Sequence, residues 1–250
     1  EPRFGVLDYM LRGHRHDGER DLVFVPIGLN YDRVLEDRTQ LLSGDAAAPK
    51  VGRLAALRRT LAFAASQLGL LLRSRWHRYG YACVNFGTPV SARAWAASRG
   101  IRFEALEKAE RQAEVAALGR ELMHQVGRLV PVLPVPLVAT VMLDAPERAR
   151  TEFEIKAEVA ALVTRLEAAG ARLYVPRQDR DYAFSAGLRM LVQRHLVEQK
   201  DGLFTPHPSE HALLRYYANS IAHLLPRSAA DVVHLDAAPA AAGIGLHRTA

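Results

Sequence analysis

Apolar positions fall into short runs and spaced faces that predict most of the secondary structure. Residues 3–12 place Phe4, Leu7 and Leu11 on one side of a helix. A polar loop follows from Arg12 to Asp21. Leu22 to Val25 then runs into Pro26, and the apolar character resumes at Ile27 before ending at Asn30, Tyr31, Asp32 and Arg33. A short run rich in β-branched residues and bounded by polar ones predicts a buried strand. Pro26 cannot donate to a sheet ladder, so it marks an edge, a bulge or a strand end. Polar residues just past a strand end are where α/β folds tend to hold ligands. Residues 34–44 are polar and predict a short helical turn leading into a loop.

Further on, Tyr81–Phe86 predicts a second strand, closed by Gly87-Thr88-Pro89. Phe103, Leu106, Val115, Leu118 and Leu122 recur at near-helical spacing within 101–126. Pro131, Pro134 and Pro136 break the next apolar segment, which is therefore expected to be an extended connection rather than a central strand or helix. Leu137–Leu143 fits either a strand or a buried helix. The character changes near Asp144-Ala145-Pro146, which divides the chain into units of 1–145 and 146–226 and a loose alanine-rich tail, 227–250. Thr151 and Glu154 form a capping box for a helix with Phe153, Val159, Leu162 and Leu166 inside, ended by Gly170. A short apolar Leu173-Tyr174-Val175 follows, then a helix around 186–197. A turn at Asp201-Gly202 leads into Leu203-Phe204-Thr205, and a last helix covers about 210–225. Helix, helix and small hairpin is a winged-helix-like order.

Charge changes the picture in one place. The net charge is +6, which favours anionic partners: nucleic acid, an acidic lipid surface or a phosphorylated substrate. Residues 46–81 carry Lys50, Arg53, Arg58, Arg59, Arg73, Arg75 and Arg78 with no acidic residue, so the basicity is local. Leu54, Leu57, Leu61, Leu68 and Leu72 share one helical face between those arginines. With Trp76 and Tyr79 following, this is the pattern of a helix lying in a membrane interface, and the apolar part is too short to span a bilayer. The membrane-interface residues are therefore Arg53, Arg58, Arg59, Arg73, Arg75, Trp76 and Arg78. An ordinary core helix with a solvated basic rim is the alternative.

At 250 residues and 49% hydrophobic content the chain can bury a substantial core. Its single cysteine, Cys83, excludes an intramolecular disulfide framework and lies in an apolar strand pattern that suits buried filler. No phosphate-binding Walker loop, Gly-x-Ser-x-Gly or Cys/His metal spacing is present. His207 and His211 stand four apart, but Pro208 intervenes and no carboxylate ligand pattern follows, so no metal is expected.

Val25-Pro26-Ile27 followed by Tyr31-Asp32 resembles the fourth conserved block of the glycerolipid acyltransferases, closest to the bacterial glycerol-3-phosphate branch. Pro2–Leu7 resembles the segment after that family's third block, Gly80–Val90 its next strand and turn, and Tyr216–His223 its C-terminal helix. The resemblance implies an α/β fold: the C-terminal part of an acyltransferase domain, followed by the small helical, winged-helix-like unit. It implies transfer of a fatty acyl group from acyl-CoA or acyl carrier protein to glycerol 3-phosphate, with no cofactor, at the cytoplasmic face of the bacterial inner membrane. In that family a His-x4-Asp motif supplies a general base and the Asp that orients it. His16 and Asp21 have this spacing, but they abut the strand with no Gly/Arg-rich block between, and their glycine and crowded charges suit a solvated turn. The base is therefore expected upstream of Glu1, which makes the chain a fragment, inactive alone. Val25, Pro26, Ile27, Tyr31 and Arg33 are then the substrate-side residues. Two rivals are a nucleic-acid-binding winged-helix protein and a membrane-surface module without chemistry. The first is disfavoured because 201–211 carries Asp201 and Glu210 and no Lys or Arg.

Overall fold

The computed structural model describes residues 4–15, 17–34, 37–38 and 80–225, and within them the chain is a mixed α/β protein. Helix α1 (Gly5–Gly13) buries Leu11 and packs Phe4 and Leu7 on the same cluster, as the spacing predicts. Strands β1 (Val23–Phe24) and β2 (Ile27–Tyr31) run antiparallel to β4 (Val90–Ser91) and β3 (Ala82–Phe86) respectively. The register slips by one residue between the two pairs: Phe24 faces Val90, whereas Ile27 faces Phe86. Two residues on one side oppose three on the other, so Pro26 sits at a bulge. Its carbonyl accepts the Gly87 N–H at 2.8 Å, and its missing donor costs the ladder nothing.

The strand is not buried on both sides, as its apolar run suggested. Gly28 and Asn30 point inward, while Ile27, Leu29 and Tyr31 point out. The inward face lies against the end of helix α3 (Lys108–Leu129), so closely that a Cβ on Gly28 would stand 2.3 Å from the Leu129 carbonyl carbon. Asn85 of β3 donates to the same carbonyl oxygen at 2.9 Å. Helix α2 (Ala92–Arg99), capped by Ser91 and ended at the left-handed Gly100, completes a first core of Leu11, Ala92, Ala96, Phe103, Val115 and Leu118.

A second core surrounds helix α4 (Pro134–Asp144), in which Pro134 to Ala139, Val141 and Met142 are all buried. Here the prolines do not exclude a helix. Pro134 and Pro136 lie in its first turn, where backbone N–H groups have no intrahelical acceptor and proline's fixed φ is already helical. Only Val130–Leu133 is extended, with Val132 bridging to Leu173. Hydrophobic all round, α4 is enclosed by helices α5 (Glu152–Ala168), α6 (Arg180–Gln193) and α7 (His211–Ala222). This core therefore runs across residue 145.

Thr151 and Glu154 make the full reciprocal capping box on α5. Phe153, expected inside, is 81% exposed because it precedes the buried stripe that starts at Ile155. Helix α6 begins six residues before the predicted start, where the Asp179 carboxylate caps the Tyr182 N–H at 3.1 Å. Strands β5 (Arg150–Thr151), β6 (Val197–Lys200) and β7 (Leu203–Pro206) form a three-stranded sheet in the order β5-β7-β6. Asp201 and Gly202, both at positive φ, make the two-residue hairpin turn.

Candidate functional site

The polar residues that follow the apolar run are where the two cores meet. Asn30 is buried and donates its Nδ2 to the Pro131 carbonyl at 2.8 Å and to Ser220 Oγ of α7 at 3.3 Å. Its Oδ1 accepts the Tyr31 N–H. Asp32 is buried as well. One carboxylate oxygen accepts the Val135 N–H at 2.9 Å and the other the Tyr81 N–H at 3.1 Å. Asp32 thus closes the N-terminus of α4 from a distant strand end. Burial pushes its pKa up to about 6, against the two backbone hydrogen bonds that favour the carboxylate.

Asp37 forms the third tie. Its buried carboxylate accepts from the Tyr217 hydroxyl and from the Arg194 guanidinium, both in short contacts. Arg194 also donates to the Tyr217 hydroxyl at 2.7 Å, and Val34 N–H reaches that oxygen at 3.2 Å. Burial, and then the hydrogen bond given to Asp37, raise the Tyr217 pKa to about 12, so the phenol stays a donor. Arg38 pairs with Glu210 at 2.9 Å beside it. Residues 30–34 and 37–38 are thereby strapped to α4, the end of α6 and α7.

The opposite face of β2 and β3 is a different surface. Val25, Ile27, Leu29, Tyr31, Val84 and Phe86 are each between 40% and 65% exposed, and they form a contiguous apolar patch with no cover among the described residues. Three of the five residues singled out in the sequence, Val25, Ile27 and Tyr31, lie on it. Pro26 is buried at the bulge, and Arg33 is half-buried past the strand end. The arrangement brings no histidine, cysteine or serine nucleophile onto that face among the described residues.

His16 lies outside the described residues, as do the seven interface residues Arg53, Arg58, Arg59, Arg73, Arg75, Trp76 and Arg78. Asp21 is engaged elsewhere. It accepts the Leu22 and Arg93 N–H groups at 2.8 and 3.2 Å and the Ser91 hydroxyl at 2.5 Å, which fastens the loop before β1 to the start of α2. Those hydrogen bonds, Ser91 first, hold its carboxyl below the usual range. His14, not seen as a partner in the sequence, stands 3.6 Å from it. Asn30, Asp32 and Tyr217 fall within the segments named from the sequence without being singled out as site residues, and Asp37 and Arg194 were missed. Polar residues embedded beside an apolar run were the only signal, and the long-range partners of Asn30, Asp32 and Asp37 lie from 49 to 190 positions away.

Residues 66–240 match the family model described as the glycerol-3-phosphate acyltransferase C-terminal region. The chain is 27% identical over 246 residues to a glycerol-3-phosphate acyltransferase of Pseudomonas putida, an alignment that covers 94% of this chain and 28% of that protein. It is 23% identical over 252 residues to one from Xylella fastidiosa, covering 92% of this chain and 26% of the relative. It is 36% identical over 89 residues to one from Pseudomonas paraeruginosa, 36% of this chain and 9% of the relative. The chain thus spans about a quarter of the length of the long-aligned relatives. Because the family model takes in well over half of the chain, including the Gly80–Val90 strand and the Tyr216–His223 helix, the protein belongs to the glycerol-3-phosphate acyltransferase C-terminal region family.

Proposed function

We propose that the chain is the C-terminal part of a glycerol-3-phosphate 1-O-acyltransferase of phospholipid synthesis. A complete enzyme of this kind moves a fatty acyl group from acyl-CoA or acyl carrier protein to the sn-1 hydroxyl of glycerol 3-phosphate. The observation that carries the reading is the family match. The uncovered apolar face of β2 and β3 supports it, because a two-stranded sheet needs a partner to bury such a face. On this reading a preceding segment packs there and brings a His-x4-Asp pair and phosphate-binding arginines. The His would take the proton of the attacking hydroxyl, and the arginines would hold the phosphate bidentately. Val25, Ile27 and Tyr31 would form part of the wall against which that segment sits, with Arg33 at its end. No cofactor or metal enters the chemistry.

The basic stretch of 46–81 is assigned on this reading to an anionic membrane surface, which places the protein peripherally at the inner membrane. No helix among the described residues is long and apolar enough to cross a membrane. The order α4, β5, α5, α6, β6, β7 with sheet order β5-β7-β6 supports a winged-helix-like C-terminal unit. That topology also favours a nucleic-acid-binding reading, which we set second because the turn between β6 and β7 carries Asp201 and no basic residue. Submicromolar, salt-dependent binding to duplex DNA would reverse the order.

The test is to read the frame upstream of Glu1 and assay the longer product. A His-x4-Asp motif followed by a Gly/Arg-rich block, with acylation of glycerol 3-phosphate by the extended protein and not by the 250 residues alone, is the expected result. Acylation by the 250 residues that His16→Ala abolishes would overturn the assignment of the base.

A further inference from the structure

A cluster of tyrosines and arginines on the far side of Asp32 has no part in the reading above. Gly80, Tyr81, Tyr182, Arg189 and Gln193, together with the apolar Ala186 and Met190, line a cavity of about 200 Å³ between the start of β3 and α6. A second hollow of about 170 Å³ shares Arg189 and Gln193 with it, so Arg189 stands between the two. The Tyr81 and Tyr182 side chains both line the first cavity as near neighbours. The Tyr81 ring packs against Tyr174 at 5.2 Å between centroids. Arg177 lies with its guanidinium 4.2 Å from the centre of the Tyr182 ring.

Two features separate this cluster from an ordinary solvated edge. The first is charge balance. Neither Arg177 nor Arg189 has a carboxylate partner among the described residues. The acids around them are occupied. Glu152, on the second hollow, takes Ser185 Oγ at 2.9 Å and Lys156 at 3.1 Å. Asp181 takes Lys156 at 2.8 Å, and Asp179 caps α6. Asp32, behind Gly80, is turned to the Val135 and Tyr81 N–H groups.

The second feature is backbone strain. Arg177 and Gln178 both hold left-handed φ, 58° and 56°, a region that residues with a Cβ rarely adopt. The strained turn is what presents the Arg177 guanidinium to the Tyr182 ring. A cavity this size falls below the range of roughly 300–1,000 Å³ that drug-sized ligands occupy, so it suits a small one. Burial pushes the Tyr81 pKa up to about 12, further from neutral pH than the ordinary phenol value.

We propose that this cavity is an anion site for a phosphomonoester group, held by the Arg189 guanidinium and the hydroxyl groups of Tyr81 and Tyr182, with the Arg177 guanidinium beside it on the Tyr182 ring. Guanidinium forks match phosphate oxygens two at a time, and stacking on a ring pre-orients the fork. A free small phosphomonoester and the phosphate of an acidic lipid headgroup present the same chemistry.

Titration calorimetry on the full chain distinguishes the sources, with inorganic phosphate and phenyl phosphate as soluble probes. Vesicles of phosphatidic acid in phosphatidylcholine, against phosphatidylcholine alone, are the lipid probe. The expected result is at least tenfold weaker binding in Arg177→Gln/Arg189→Gln, with Arg20→Gln, on the loop before β1, unchanged. Loss of the soluble probes identifies a free phosphomonoester; loss confined to phosphatidic acid vesicles identifies a headgroup. Arg189→Gln alone, an exposed position in mid-helix, gives the same comparison should the double variant fold poorly, with an unchanged unfolding midpoint as its control. Equal binding by wild type and variants, or no binding of any probe, overturns the proposal. None of these readouts involves acyl transfer, so the outcome is independent of the proposed enzyme activity.

Discussion

At the scale of single residues, Asp32 carries the sharpest expectation. Its pKa is raised from 3.8 to about 6, so the native state holds its proton more tightly than the unfolded chain does. The contribution of this group to stability is full below about pH 4 and is lost as pH rises through about 6. The shift of about two units corresponds to something on the order of 3 kcal/mol. Asp32→Asn cannot titrate. The stability of wild type relative to that variant should therefore fall by this order between pH 4 and pH 7 in denaturant titrations. A flat difference across the range would show that Asp32 is not destabilised by burial. Asp37→Ala is a different case. It strands the Arg194 guanidinium, only 13% exposed, without its countercharge, and should cost about 3–5 kcal/mol. Tyr217→Phe, which leaves the ion pair in place, should cost about 1–2 kcal/mol.

At the scale of elements, local chemistry was readable and long-range placement was not. The Thr151–Glu154 box and the Asp201-Gly202 turn each depend on residues within a few positions, and both stand as the sequence predicts. Thr151→Ala should lower stability by about 1 kcal/mol in chemical denaturation. The strand at 27–31 was legible, but its burial was not. An apolar run looks the same whether both faces are covered or only one, and the alternation here was hidden by Ile27, Leu29 and Tyr31 being apolar on the open side. Only the first turn of α4 was misread, because proline was weighed as a breaker without regard to position. Leu137–Leu143 is the buried helix that was one of its two readings, and an Asp32 cap 103 residues away closes the helix start. Gly28 gave no sign of its role either. Its close approach to Leu129 means that Gly28→Ala must move β2 or the end of α3, with an expected loss of about 1–3 kcal/mol or more in a thermal melt.

At the scale of the whole molecule, the uncovered face of β2 and β3 sets how the chain behaves alone. An exposed apolar patch backed by a sheet promotes self-association. Replacing Phe86, its most exposed member at 65%, by Asp should shift the chain toward monomer in sedimentation velocity with little change in unfolding midpoint. If the face is instead inert, the two proteins will sediment alike. In a longer enzyme the same substitution should depress activity, because the wall it disrupts is the one assigned to the catalytic segment.

The crossing of residue 145 by the second core bears on how the chain would come apart. The turn that joins α4 to β5 is held by an Arg148 N–H to Ala145 carbonyl bond and lies at the surface. A protease nick there would sever the covalent link and leave the packing intact. The front piece would keep α4 seated among α5, α6 and α7, with Asp37 still clasped by Tyr217 and Arg194. Gel filtration would return the two fragments as one particle, and they would separate only in denaturant.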